Sequence, residues 1–186
     1  MTPYTVPVFI HLLGALALFV GYGIEWTASS LFRTASSTEQ LRAWLRVFKV
    51  SPPLSGAGLL VLLLSGGYLA SLSPGTMRQG WISATFVGII VALALGFALI
   101  LPRMRGIRSA LPAGNEPLSA ALHSRLADPI LLTAIRVRVM LATGIVYLMA
   151  AKLSFMPSLA VLAIATVLGL VLSIPAWGGK TAAANS

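Results

Sequence analysis

The stretch VPVFIHLLGALALFVGYGI, residues 6–24, decides the fold. It holds no Lys, Arg, Asp or Glu, and its one ionisable group is His11. At about 1.5 Å rise per residue, about 20 apolar residues cross a hydrocarbon core of about 30 Å, so this stretch predicts a transmembrane helix. Glu25 and Trp26 close it. A cleaved signal peptide is the competing reading. Residues 1–7 lack a basic n-region, and the run is longer than a usual h-region, so a retained helix is expected.

Outward from this helix, comparable apolar runs recur at about 54–72, 81–101, 139–153 and 158–177. The fold class they predict is all-α: a polytopic membrane protein, a five-helix transmembrane bundle forming one integral membrane domain over residues 1–186. Composition agrees. Charged residues make up 9%, where a soluble domain averages about 25%. The chain has no Cys, which removes disulfides, thiolate metal sites, iron–sulfur clusters and C-x-x-C-H haem attachment. The net charge of +9 raises nucleic acid as a partner. The basic residues flank apolar runs, however, so the lipid bilayer is the expected partner and nucleic acid is not.

Of the 13 Lys and Arg, only Arg78 and Lys152 fall in the connections on the side of the N-terminus; the remaining eleven gather on the opposite side. The positive-inside rule then places the N-terminus outside and the C-terminus in the cytoplasm of a cell membrane, by default a bacterial inner membrane.

Between the spans, Ser36 and Glu39 have the spacing of a capping box. Leu41, Trp44, Leu45 and Phe48 recur at helical spacing opposite Arg42, Arg46 and Lys49, which predicts a basic amphipathic helix on the membrane surface over 41–50, ended or kinked at Ser51-Pro52-Pro53. The second span is rich in Gly and Ser and is expected at the centre of the bundle. Ser73-Pro74-Gly75 predicts a turn. In the third span Ala84, Gly88, Ala92 and Gly96 form a small-residue ridge, and Pro102 is expected to stop the helix. A short helix is expected over 118–126, and Asp128-Pro129 reads as N-cap and first residue of the fourth helix. Arg136 and Arg138 lie in its third turn, so its first turns are expected outside the hydrocarbon, and Arg138 and Lys152, which bound its charge-free part, must snorkel or face the protein interior.

Soluble-enzyme motifs are absent, the four acidic residues are scattered, and no reaction can be read from them. His11 carries the most chemical information. It shares a helical stripe with Ala15, Leu18, Tyr22 and Glu25, and such a stripe faces other helices because an ionisable group in hydrocarbon is costly. His11 could ligate a metal or haem, relay protons, or simply hydrogen-bond a Ser or Tyr of the second span such as Tyr68. The only other histidine, His123, falls on the opposite side of the membrane, so one chain cannot offer two histidines to one haem. Met77, Met149 and Met156 share the His11 side, and thioether with imidazole suits copper(I); a haem would need Met as second ligand or His11 from two subunits, and ordinary packing is the alternative for each methionine. Met149 lies at matching depth to His11, so these two are the candidate cofactor ligands, with Met156 as a further metal ligand. Lys152 is a candidate charge anchor near them, with interfacial snorkelling the simpler reading. Glu25 is expected in an interfacial ion pair, with proton relay the alternative.

The segments His11-Leu-Leu-Gly14, Ser65-Gly66-Gly67-Tyr68, Trp81 and Tyr147-Leu-Met149-Ala-Ala-Lys152 resemble a family of small multi-pass integral membrane proteins of unknown function. That family is similar in layout to the copper-resistance D membrane domain and to HemJ-type protoporphyrinogen oxidase. The resemblance implies copper handling or haem-linked redox chemistry through a first-helix histidine, and it carries over to His11 alone. The functions in play are thus a membrane module binding copper or haem through His11, a structural or accessory subunit, and a small-solute or ion permease. A second copy of the chain or a separate membrane protein is the partner the second of these would need.

Overall fold

A computed structural model describes residues 4–72, 78–114 and 117–182, with side chains to 178. The expected turn at Ser73-Pro74-Gly75 and Met77 lie outside the described residues. Within them every regular element is helical: α1 (Thr5–Phe32), α2 (Thr38–Ser71), α3 (Gly80–Ala94), a π-helical turn (Leu95–Ile100), α4 (Leu101–Ser109), α5 (Ala120–Leu126), α6 (Pro129–Ala151) and α7 (Phe155–Ala182). Five stretches are long and apolar enough to cross a membrane, among them Gly80–Ser109, where α3, the π turn and α4 run on as one rod, and Ala120–Ala151, which joins α5 to α6.

Three helices outrun the apolar windows that announced them. α2 does not break at Pro52 and Pro53 but continues through both. Its N-cap is Ser37, one residue later than expected: Gln40 N donates to Ser37 Oγ at 3.2 Å, and Ser36 N donates to Gln40 Oε1 at 3.0 Å. The amphipathic stretch is therefore the first third of a long helix that extends beyond the hydrocarbon. Leu41, Leu45 and Phe48 of that stretch face protein. They are buried in a core with Phe32 of α1, Met104 and Ile107 of α4, Leu122 of α5 and Ile135 of α6. An apolar stripe reads the same whether lipid or protein covers it, and here α1 and α4–α6 cover it.

Pro102 likewise fails to end its helix. Proline removes one intrahelical bond and its ring clashes with the carbonyl four residues back. The π turn immediately before Pro102 widens the helix there, so the chain carries on to Ser109.

The central helix is α6, not α2. α6 touches α1, α3, the π turn and α7, whereas α2 packs along α1. Ser55, Gly58 and Gly66 of α2 serve that seam, whereas Gly56 and Gly67 face open space. A Cβ on Gly58 would lie 2.7 Å from the Gly14 carbonyl oxygen and 2.6 Å from Leu18 N, so only glycine allows the two backbones to touch. The ridge on α3 behaves as expected: Ala84 and Ala92 are buried, and Gly88 abuts Ile145 of α6 and Leu162 of α7. Asp128 caps α6, accepting from Ile130 N at 2.9 Å, with Pro129 in the first turn.

Candidate functional site

The large apolar core sits at the arginine-rich end of the bundle. Towards the other end the α1–α2 pair and the α3–α6 pair diverge, and a cleft of about 660 Å³ opens between them. Its walls are mostly aliphatic and aromatic. Several wall residues, including Leu63, Phe86 and Val146, are exposed, so the cleft is open rather than enclosed.

His11 projects from α1 into this cleft. Its Nδ1 lies 3.0 Å from Ser65 Oγ of α2. The expected hydrogen bond to α2 is thus present, but to Ser65 rather than Tyr68, which is 51% exposed and outside the cleft lining. Ser65 Oγ spends its own proton on the Val61 carbonyl at 2.5 Å. A hydroxyl has a single proton, so Ser65 must accept from Nδ1–H. Neutral His11 then carries its lone pair on Nε2. This is the arrangement of a ligating imidazole, in which one ring nitrogen is held by a hydrogen bond and the other is basic.

Met149 of α6 lines the same cleft, so the structure brings His11 and Met149 to one space. Met156 is not brought in. It is 72% exposed on α7 and does not line the cleft. Lys152 stands at the mouth with Tyr4, Gln79 and Trp81. Thr85 of α3 also faces the cleft, and its buried Oγ1 has no hydrogen-bond partner. Among the described residues no group of three or more His, Cys, Asp or Glu side chains could hold a metal ion.

Tyr22 forms the end of the cleft on α1. Beyond it lies the ion pair expected for Glu25, and the partner is Arg138 of α6. Both are largely buried, at 3% and 11% side-chain exposure, which makes this an interior pair rather than an interfacial one. The Arg138 guanidinium also stacks over the Tyr22 ring at 4.4 Å. Gly96, in the π turn, provides its space: a Cβ there would lie 2.9 Å from Arg138 Nη1. Arg136, two residues earlier, reaches outward instead, donating to the Leu172 carbonyl at 2.8 Å and lying 5.5 Å from the centre of the Trp26 ring. The sequence shows that both arginines need partners. Which one turns inward depends on Gly96 and Tyr22, whose roles appear only once the helices are packed.

A five-span helical bundle with a lateral cleft and one buried ion pair defines a small multi-pass membrane protein. Residues 5–153 match the family described as Predicted integral membrane protein (DUF2269), and the chain belongs to that family. The match covers the first four spans and every cleft-lining residue except Tyr4, and leaves all of α7 outside. No curated protein and no solved structure matches the chain. None of these comparisons supports the expected likeness to copper-resistance D or HemJ-type proteins.

Proposed function

We propose that the cleft is a ligand site for an apolar molecule reached from the bilayer, and that its ligand is a haem held through His11 with Met149 as the second donor. The observation that carries this reading is the His11–Ser65 contact, which in the tautomer with Nδ1–H directed at Ser65 gives a half-buried imidazole a lone pair on Nε2 within a large apolar space. Bare copper is the weaker version of the same idea. Imidazole and thioether suit copper(I), but two donors would leave most of about 660 Å³ unfilled. Cleft volumes of about 300–1,000 Å³ are those of organic ligand sites. When bound, the macrocycle would supply one-electron or ligand-binding chemistry, tuned by the residues that would hold it. The residues supply the binding: His11 and Met149 as donors, Ser65 as orienter, the aliphatic walls as exclusion of water.

The cleft lining ends at Tyr22 above the Glu25–Arg138 pair, which weighs against a permease. In the membrane the same reading puts the His11 end outside and the arginine-rich end in the cytoplasm, in a bacterial inner membrane.

The test is the visible spectrum and metal content of protein purified from membranes in mild detergent. A Soret band with about one iron per chain is expected, absent in His11→Ala and weakened in Met149→Leu, which keeps the side-chain volume. Protein that purifies without haem, and gains none when haem is supplied during expression, contradicts the proposal.

A further inference from the structure

The mouth of the cleft carries a charge that no described residue answers. Lys152 lines the cleft and makes neither ion pair nor hydrogen bond through its ammonium among the described residues. Among the described residues no Asp or Glu lines the cleft. The neighbouring polar groups at the mouth do not supply an anion either. The Trp81 indole donates to Gln79 Oε1 at 2.6 Å, which leaves the Gln79 amide NH2 as a second donor at the mouth, and Tyr4 OH donates to the Leu72 carbonyl at 3.2 Å.

The backbone at Lys152 is a second, independent observation. It is the only non-glycine residue with positive φ among the described residues, at φ 49 and ψ 45, where it ends α6. This helix-ending position favours glycine or asparagine, because a Cβ in the left-handed region costs about 1 kcal/mol. The chain bears that cost at the one residue whose side chain puts a cation at the cleft mouth. A lysine that merely snorkelled to the interface would need neither this backbone position nor a place in the cleft wall.

We infer that the occupant of the cleft is an acidic amphiphile, its apolar body between α2 and α3 and its carboxylate or phosphate paired with Lys152. The inference rests on the cleft being a ligand site, and it adds the charge of the ligand. A haem meets the description through its propionates. Its dimethyl ester keeps the iron and the macrocycle but removes the acid, so the pair isolates the role of charge.

The experiment is titration of the full chain in nanodiscs of uncharged lipid with haem and, separately, with haem dimethyl ester, followed by absorbance. Wild type should bind haem about fivefold more tightly than the ester, the range of one solvent-accessible ion pair. Lys152→Gln should bring haem affinity down to that of the ester, and Lys152→Arg should keep the preference. Lys152→Gly relieves the left-handed strain, so it should unfold at a higher temperature than wild type while also losing the preference. That combination separates a binding role from a structural one. Wild type binding both compounds equally, or a preference that survives in Lys152→Gly, overturns the inference and leaves the ligand site standing. Binding of neither compound to wild type removes the ligand site and the inference together.

Discussion

Neutral imidazole has two tautomers, and the hydroxyl of Ser65 selects between them at His11. Because that hydroxyl donates to Val61 at 2.5 Å, it is locked as an acceptor towards Nδ1 at 3.0 Å. Ser65→Ala deletes the acceptor, frees the ring to rotate and lets the other tautomer form. Haem affinity should fall about tenfold, at the low end of the effect of removing a group that orients a ligating histidine. Equilibrium titration against wild type measures it. Ser65→Thr, which keeps a hydroxyl able to bond back to the same carbonyl, should stay within about threefold of wild type. The importance of His11 is legible in the sequence, since it is the one ionisable residue in an apolar span. Its partner is not, because Ser65 and Tyr68 both lie near the same end of α2 and only the rotation of α2 against α1 decides between them. That rotation is set by the contact of Gly14 with Gly58.

At the level of elements, the Glu25–Arg138 pair ties α1 to α6 just beyond the end of the cleft. Leaving a charged group uncompensated in the interior of a bundle is costly. Glu25→Gln should destabilise the protein by about 3 kcal/mol, read as a lower unfolding temperature in detergent. Replacing both, as Glu25→Gln with Arg138→Met, should recover most of the loss, because the penalty lies in the orphaned arginine and not in the absence of the pair. If the double variant is as unstable as the single one, the pair acts through packing and not through charge. The spans themselves were legible, since hydropathy marks each of the five. Their true lengths were not. Hydropathy reports the part of a helix that suits lipid, whereas α1, α2 and the α3–α4 rod continue past it into a core of their own at the arginine-rich end. The prolines misled for a related reason. Pro52, Pro53 and Pro102 each forbid a hydrogen bond, but neighbouring helices and the π turn carry the chain across them.

For the whole molecule, the asymmetric charge predicts an orientation that labelling can test. Single cysteines are clean probes because the chain has none of its own. In sealed cells Ser109→Cys, at the arginine-rich end, should resist an impermeant thiol reagent and Ser73→Cys should react with it. The opposite pattern would reverse the topology. The measurement that tests the central claim most directly is haem binding to the full chain in nanodiscs, in a His123→Gln background where His11 is the only imidazole. The account predicts a saturable Soret shift at one haem per chain that disappears when His11→Ala is added. A shift of equal size and affinity without His11, or no shift with it, would contradict the account.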